Sequence, residues 1–225
     1  VIDESMSGLY SAQMDRSFRQ GMSWFIVSEV MFFMAFFGAL FYGRVIALDW
    51  LSGGSNNAMT FEILWPSFEA MWPLLKTPGG IETQAMPATG LPLINTAILV
   101  ISSITLHFAH TGLEQNKRGQ LKLMLLATLV LGATFLSLQV YEYIHAYRDL
   151  GLTLASGFYG NTFFLLTGFH GMHVTLGAII LLFVFFRVLK GHFTPEKHFA
   201  FQAAAWYWHF VDVVWLCLYV FVYVI

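Results

Sequence analysis

Charge is what this sequence has least of. Only 11% of its 225 residues are Asp, Glu, Lys or Arg, against roughly 25% in a soluble domain. That is too little to cover a water-facing globule, so lipid must serve as part of the solvent. The formal net charge of −2 gives no basic field for a nucleic-acid partner. One cysteine, Cys217, lies in an apolar run. It excludes an internal disulfide and reads as a buried structural thiol. There is no P-loop, no Rossmann glycine pattern and no nucleophile elbow. Internal repeats and low-complexity segments are also missing, and so is a cleavable signal pattern. The first residue is Val1 rather than Met, so a processed N-terminus or an incomplete chain is expected.

What fills the space is apolar and aromatic. Hydrophobic residues make up 57% of the chain, with 23 Phe, 9 Tyr and 7 Trp. A bilayer core needs roughly 20 apolar residues as helix, and five stretches reach that length. They run from about residues 22–48, 91–113, 121–147, 158–189 and 199–225. The second opens with Pro92, a favoured first-turn residue. The fold class is therefore all-α: a polytopic transmembrane helical bundle with five spans, read as one domain over residues 1–225. The loop from about 49 to 90 begins Ser-Gly-Gly-Ser-Asn-Asn, a turn signal. Its Trp65-Pro66 and Trp72-Pro73 pairs suggest a segment lying in the membrane interface.

An odd number of spans puts the termini on opposite sides. Arg16, Arg19, Lys117, Arg118, Lys122, Arg187, Lys190 and Lys197 fall on the N-terminal side, and only Arg44, Lys76 and Arg148 on the other. The positive-inside rule then predicts a cytoplasmic (or matrix) N-terminus.

Ionisable groups at membrane depth are expensive, so each needs a partner or a task. Glu29 lies in the first span with no basic residue within one helical turn. It reads either as a carboxyl bonded to a neighbouring helix or as a proton-linked group or subunit contact. Gln139, Glu142 and His145 recur at spacing three, as do His170 with His173, His209 with Asp212, and His107 with His110. Residues three apart share a helix face. Glu142 and His145 have the Glu-x-x-His spacing of di-metal bundles, but such a site needs two of these motifs and two further Glu. No second motif occurs within a span. No metal site is expected, and Glu142, His170, His173, His209 and Asp212 read as an interhelical polar network. Gly168, Gly171 and Gly177 read as packing positions in the fourth span.

The string Trp206 to Trp215, WYWHFVDVVW, resembles the closing helix of the cytochrome c oxidase subunit III family among the haem–copper oxidases, most closely its proteobacterial type. Further strings agree in order: SEVMFF from Ser28, EY at Glu142-Tyr143, YGNTFFLLTGFHGMHV from Tyr159, and HFTPEKHFAFQAAA from His192. The resemblance covers nearly the whole chain. Thr111, Asn161, Lys197 and Gln202 depart from the usual family residues. The family usually has seven spans, and the match starts at its third. The first two are therefore expected to be missing, to lie on another chain, or never to have been present, as in five-span relatives from quinol oxidases.

The resemblance implies a multi-pass subunit in a bacterial inner membrane, or less directly a mitochondrial one. It implies a place in aerobic respiration, within a complex that oxidises cytochrome c, reduces oxygen to water and pumps protons. It implies no catalytic centre and no cofactor bound by this chain, with haems and copper in partner subunits I and II. Subunit I would be the main contact. The expected role is support of proton uptake and of the complex's stability. Glu29 matches the family's intramembrane Glu, a candidate for proton-linked or lipid contact. Arg187, Lys190, His192 and Thr194 match a basic rim where phospholipid headgroups are expected, and Arg and Lys suit phosphate. The competing readings are a quinol oxidase subunit III and a self-contained transporter, although transporters often show repeat halves.

Overall fold

Five helices long and apolar enough to cross a membrane organise the computed structural model, which describes residues 11–225. The first, α1 (Ala12–Phe41), starts where Ser11 caps the Met14 amide at 3.3 Å. Beyond Phe41 it runs through a wider π-helical turn, Tyr42–Ala47, into Leu48–Leu51. It begins well before Met22, where the apolar run begins. The extra turns are polar: Arg19 bonds Asp15 four residues back at 2.8 Å and reaches Gln202 of the last helix. Side-chain pairing carries this segment, so hydropathy does not register it.

A short helix, α2 (Ala58–Leu64), lies in the connection that follows. Then come α3 (Leu91–Glu114), α4 (Arg118–Arg148), α5 (Phe158–Leu189) and α6 (Phe199–Leu218). The last continues as a π-helical turn over Tyr219–Val224. Among the described residues there is no strand, only an isolated bridge from Lys76 to Glu82.

The long loop folds back on the protein. Trp65 donates its indole N–H to the Leu51 carbonyl at 2.9 Å. Trp72 stacks edge-on against Phe158 and Tyr159, with Arg44 over its ring at 5.4 Å. Both Trp are half-buried, so their polar and cationic contacts are made with the protein.

α3 and α4 form a tight antiparallel hairpin. Asn116 takes φ 56° in its turn, a conformation Asn tolerates better than most residues. Where the two helices meet, a Cβ on Gly112 would stand 3.0 Å from the Leu121 amide nitrogen. The four helices α3 to α6 then converge on Trp208, which is 1% exposed. Its indole N–H donates to Ser102 Oγ of α3 at 3.0 Å. A Cβ on Gly132 of α4 would lie 2.7 Å from its ring, and one on Gly177 of α5 3.0 Å. Small residues here let four backbones close around one large side chain. Gly177 is thus a packing glycine, whereas Gly171 faces open space and Gly168 meets only the Tyr143 hydroxyl at 3.4 Å.

One side-chain expectation changes. Cys217 is half-buried rather than buried, because it lies at the edge of the α6 face whose centre is Trp215 and Leu218, both 0% exposed.

Candidate functional site

α1 meets the bundle along a seam of rings. Phe32 and Phe36 stand 5.2 and 5.0 Å from Phe169 of α5, and Phe33 stands 5.0 Å from His173. Glu29 sits one turn before this seam. Its Oε2 lies 2.8 Å from His173 Nε2, with the two side chains 21% and 7% exposed.

Hydrogen-bond logic constrains that pair. His173 Nδ1 stands 2.6 Å from the Phe169 carbonyl oxygen. A carbonyl only accepts, so Nδ1 carries a proton. Nε2 then either accepts from a neutral Glu29 carboxyl or, protonated, donates to a carboxylate. In both states one proton lies between the two side chains, and moving it along the 2.8 Å contact converts one state into the other. In the sequence, no base lies within one helical turn of Glu29. The base is 144 positions on, and only the docking of α1 against α5 brings it close.

The other polar groups at membrane depth go to separate partners. Glu142 accepts from the Tyr223 hydroxyl at 2.8 Å, and Tyr223 is 8% exposed. His145, its partner by sequence spacing, turns instead to Asp149 at 2.6 Å on an exposed surface. His170 Nε2 donates to the Val211 carbonyl at 3.1 Å. His209 Nδ1 lies 2.5 Å from Ser103 Oγ of α3, with Asp212 Oδ2 at 4.0 Å. The structure therefore ties Glu142, His170, His173 and His209 each to a neighbouring helical segment, leaves both Asp212 oxygens without a hydrogen-bond partner among the described residues, and does not bring all five into one cluster. The hydroxyl partners, Ser103 and Tyr223, have no signature in the sequence because a lone hydroxyl in an apolar run carries no pattern.

At the opposite end from Glu142, Arg187 Cζ stands 4.5 Å over the Phe193 ring, and the His192 amide donates to the Arg187 carbonyl at 3.1 Å. Arg187 Nε and His192 Nδ1 are buried without a hydrogen-bond partner among the described residues. Thr194 and Lys197 exchange backbone hydrogen bonds at 3.3 and 3.2 Å in the same loop, with Lys190 exposed beside it.

This end also holds a three-residue group that spacing along the chain does not bring together. His110 and Glu114 of α3 meet His198, the residue before α6, with one donor atom from each within 4.8 Å of the others. The His110 and His198 rings stand 5.4 Å apart. The signal available in sequence was the His-x-x-x-Glu spacing at the end of the second span. His198 lies in the loop before α6, and no helical period connects it to them.

Comparison with known proteins agrees with this architecture. The family model for cytochrome c oxidase subunit III matches residues 1–225. Cytochrome c oxidase subunit 3 of Loxodonta africana is 40% identical over 223 residues, covering 99% of this chain and 75% of that protein. The proteins of the same name from Gazella cuvieri and Pelea capreolus match with the same identity and coverage. A match over the full length, on an all-helical frame with five membrane-length helices, makes this chain a member of the cytochrome c oxidase subunit III family.

Proposed function

We propose that the chain is a non-redox membrane subunit of a cytochrome c oxidase that packs on subunit I and supports proton uptake through Glu29. The observation that carries this is the Glu29–His173 pair, which shares one proton at membrane depth on a lightly covered helix. Only 11% of the most apolar window of the first span is buried within the chain. Trp24, Met31 and Met34 are 68%, 59% and 58% exposed on it. A helix of this kind offers a flank to a neighbouring subunit and a protonatable group beside it.

Haems and copper then belong to subunits I and II, and this chain holds no redox cofactor of its own. Two observations support that division of labour: His173 commits both ring nitrogens to protein partners, and His170 commits Nε2. The basic rim of Arg187, Lys190, His192 and Thr194 is proposed to take phospholipid headgroups, whose phosphate oxygens would accept from the buried Arg187 Nε. The N-terminus is proposed to face the cytoplasm of a bacterial inner membrane, in keeping with the excess of Lys and Arg at that end.

Glu29→Gln tests the proton role. Gln keeps the shape and can still donate to His173 Nε2, so packing survives while the transferable proton is lost. The scale is one charge-assisted hydrogen bond, about 1.5 kcal/mol, or about tenfold in a rate. The variant oxidase is expected to assemble normally, with haem spectra and larger subunits co-purifying. Proton uptake is expected to slow by about that factor, and turnover to fail sooner. Unchanged turnover, pumping and inactivation in the variant would leave Glu29 a packing residue. Oxidation of a quinol but not of cytochrome c by the purified complex would move the chain to a quinol oxidase.

A further inference from the structure

His110, Glu114 and His198 share a geometry that a surface ion pair does not need. His110 and Glu114 lie four apart on the last turn of α3, so both project from one face. Their nearest atoms, His110 Nε2 and Glu114 Oε1, stand 3.7 Å apart, too far for a hydrogen bond. His110 Nε2 is buried and has no hydrogen-bond partner among the described residues. Buried polar atoms are almost always satisfied, so an orphan calls for an explanation, such as an ion.

His198 completes the arrangement from the other side. Its Nδ1 stands 3.2 Å from the Thr194 carbonyl oxygen. The carbonyl accepts, so Nδ1 carries a proton, and in the neutral ring Nε2 keeps its lone pair. A backbone carbonyl that holds one imidazole nitrogen and leaves the other free to ligate is the usual outer support of a metal-bound histidine. Beneath the group lies an apolar floor: the Phe201 ring is 5.5 Å from His110 and 1% exposed. Glu114, with 57% of its side chain exposed, keeps the outer side open to water.

We propose that His110, Glu114 and His198 bind a divalent transition-metal cation of the zinc class. Two imidazoles and one carboxylate are a borderline donor set, suited to Zn2+ and poor for Mg2+ or Ca2+, which take oxygen ligands. With ligand bonds of about 2.0–2.2 Å, tetrahedral ligand atoms sit about 3.4 Å apart. The 3.7 Å contact and the 4.8 Å limit are within small side-chain rotations of that figure. Water would take the fourth position. The ion would tie the end of α3 to the start of α6 across the hairpin turn and two membrane spans of intervening chain.

The test uses the membrane-extracted full chain with whatever subunits purify with it. The preparation is stripped with a chelator and titrated with ZnCl2 against a colorimetric zinc indicator. Glu114→Gln and His198→Gln are made in parallel. Both positions retain solvent access, so each variant is expected to fold, which its thermal melt checks. The wild type is expected to hold one tight zinc equivalent more than either variant, unaffected by excess Mg2+. Each variant is expected to bind that ion about 100-fold more weakly, because even outer supports of a metal site are worth about 10–100-fold. Zinc should also raise the melting temperature of the wild type more than that of the variants. Equal numbers of tight zinc ions, with equal affinity, in the wild type and both correctly folded variants would overturn the proposal. Displacement of the wild type's extra ion by Mg2+ would overturn it too.

Discussion

Trp208→Ala is expected to lower the stability of this chain by about 3 kcal/mol or more, the lower end of the usual cost of emptying a buried Trp site. Trp208 is 1% exposed, and its ring occupies the space left by Gly132 and Gly177 while its N–H bonds Ser102. Lipid reduces the hydrophobic part of that cost, since tails are as apolar as the core. The packing part remains, because four helices contribute atoms to one hole and cannot all collapse into it. Thermal unfolding in detergent should show the loss directly. Trp208→Phe keeps most of the volume and forfeits the hydrogen bond, so it should cost far less, on the order of 1 kcal/mol. Gly132→Leu approaches the same contact from the other side. With a Cβ already 2.7 Å from the ring, the longer side chain forces α4 away from α6, and little folded protein should be recovered. Near-wild-type melting of Trp208→Ala would mean that the four-helix junction contributes little.

Tyr223→Phe is expected to have the second-largest effect. Its hydroxyl is the donor that satisfies Glu142 Oε1, and both residues are buried. Removing the donor alone leaves a polar atom stranded in an apolar medium, at about 1–3 kcal/mol. Removing both partners should cost less than the sum. The double variant Tyr223→Phe with Glu142→Leu is therefore expected to recover part of the loss, a coupling that a double-mutant cycle measures. Additive losses across the cycle would show that the 2.8 Å contact carries no energy of its own.

These two sites mark where sequence reading succeeds and where it stops. Four of the five membrane helices begin and end within a few residues of their apolar runs, since long uninterrupted hydrophobicity is a local property. The start of α1 escaped because Asp15, Arg16 and Arg19 interrupt the apolar pattern while sustaining the helix. Glu29, Glu142, His170, His173 and Asp212 stood out because charge and imidazole are rare in a span. The partners of Glu142 and His170 did not: Tyr223 and the Val211 carbonyl are ordinary in an apolar helix, and they acquire meaning only when another helix arrives. Gly132 was overlooked for the same reason: nothing in its neighbours announces the indole that needs the room. His198 shows the limit most clearly. In sequence it is a loop histidine after a Lys, and in the fold it faces His110 over an apolar floor.

The way α1 docks has a consequence for how the chain is made. Its partners Phe169, His173, Gln202 and Tyr207 all belong to the last two spans, so the helix synthesised early finds its seat late. Glu29 and His173 are separated by 144 positions. At about 5–20 residues per second, a ribosome needs roughly 7–30 s to supply the imidazole. Throughout that interval an intramembrane carboxyl waits in the bilayer without its partner. The same interval is when a chaperone, a protease or another subunit has the freest access to α1. The seat of α1 therefore cannot be complete before α5 and α6 have been translated.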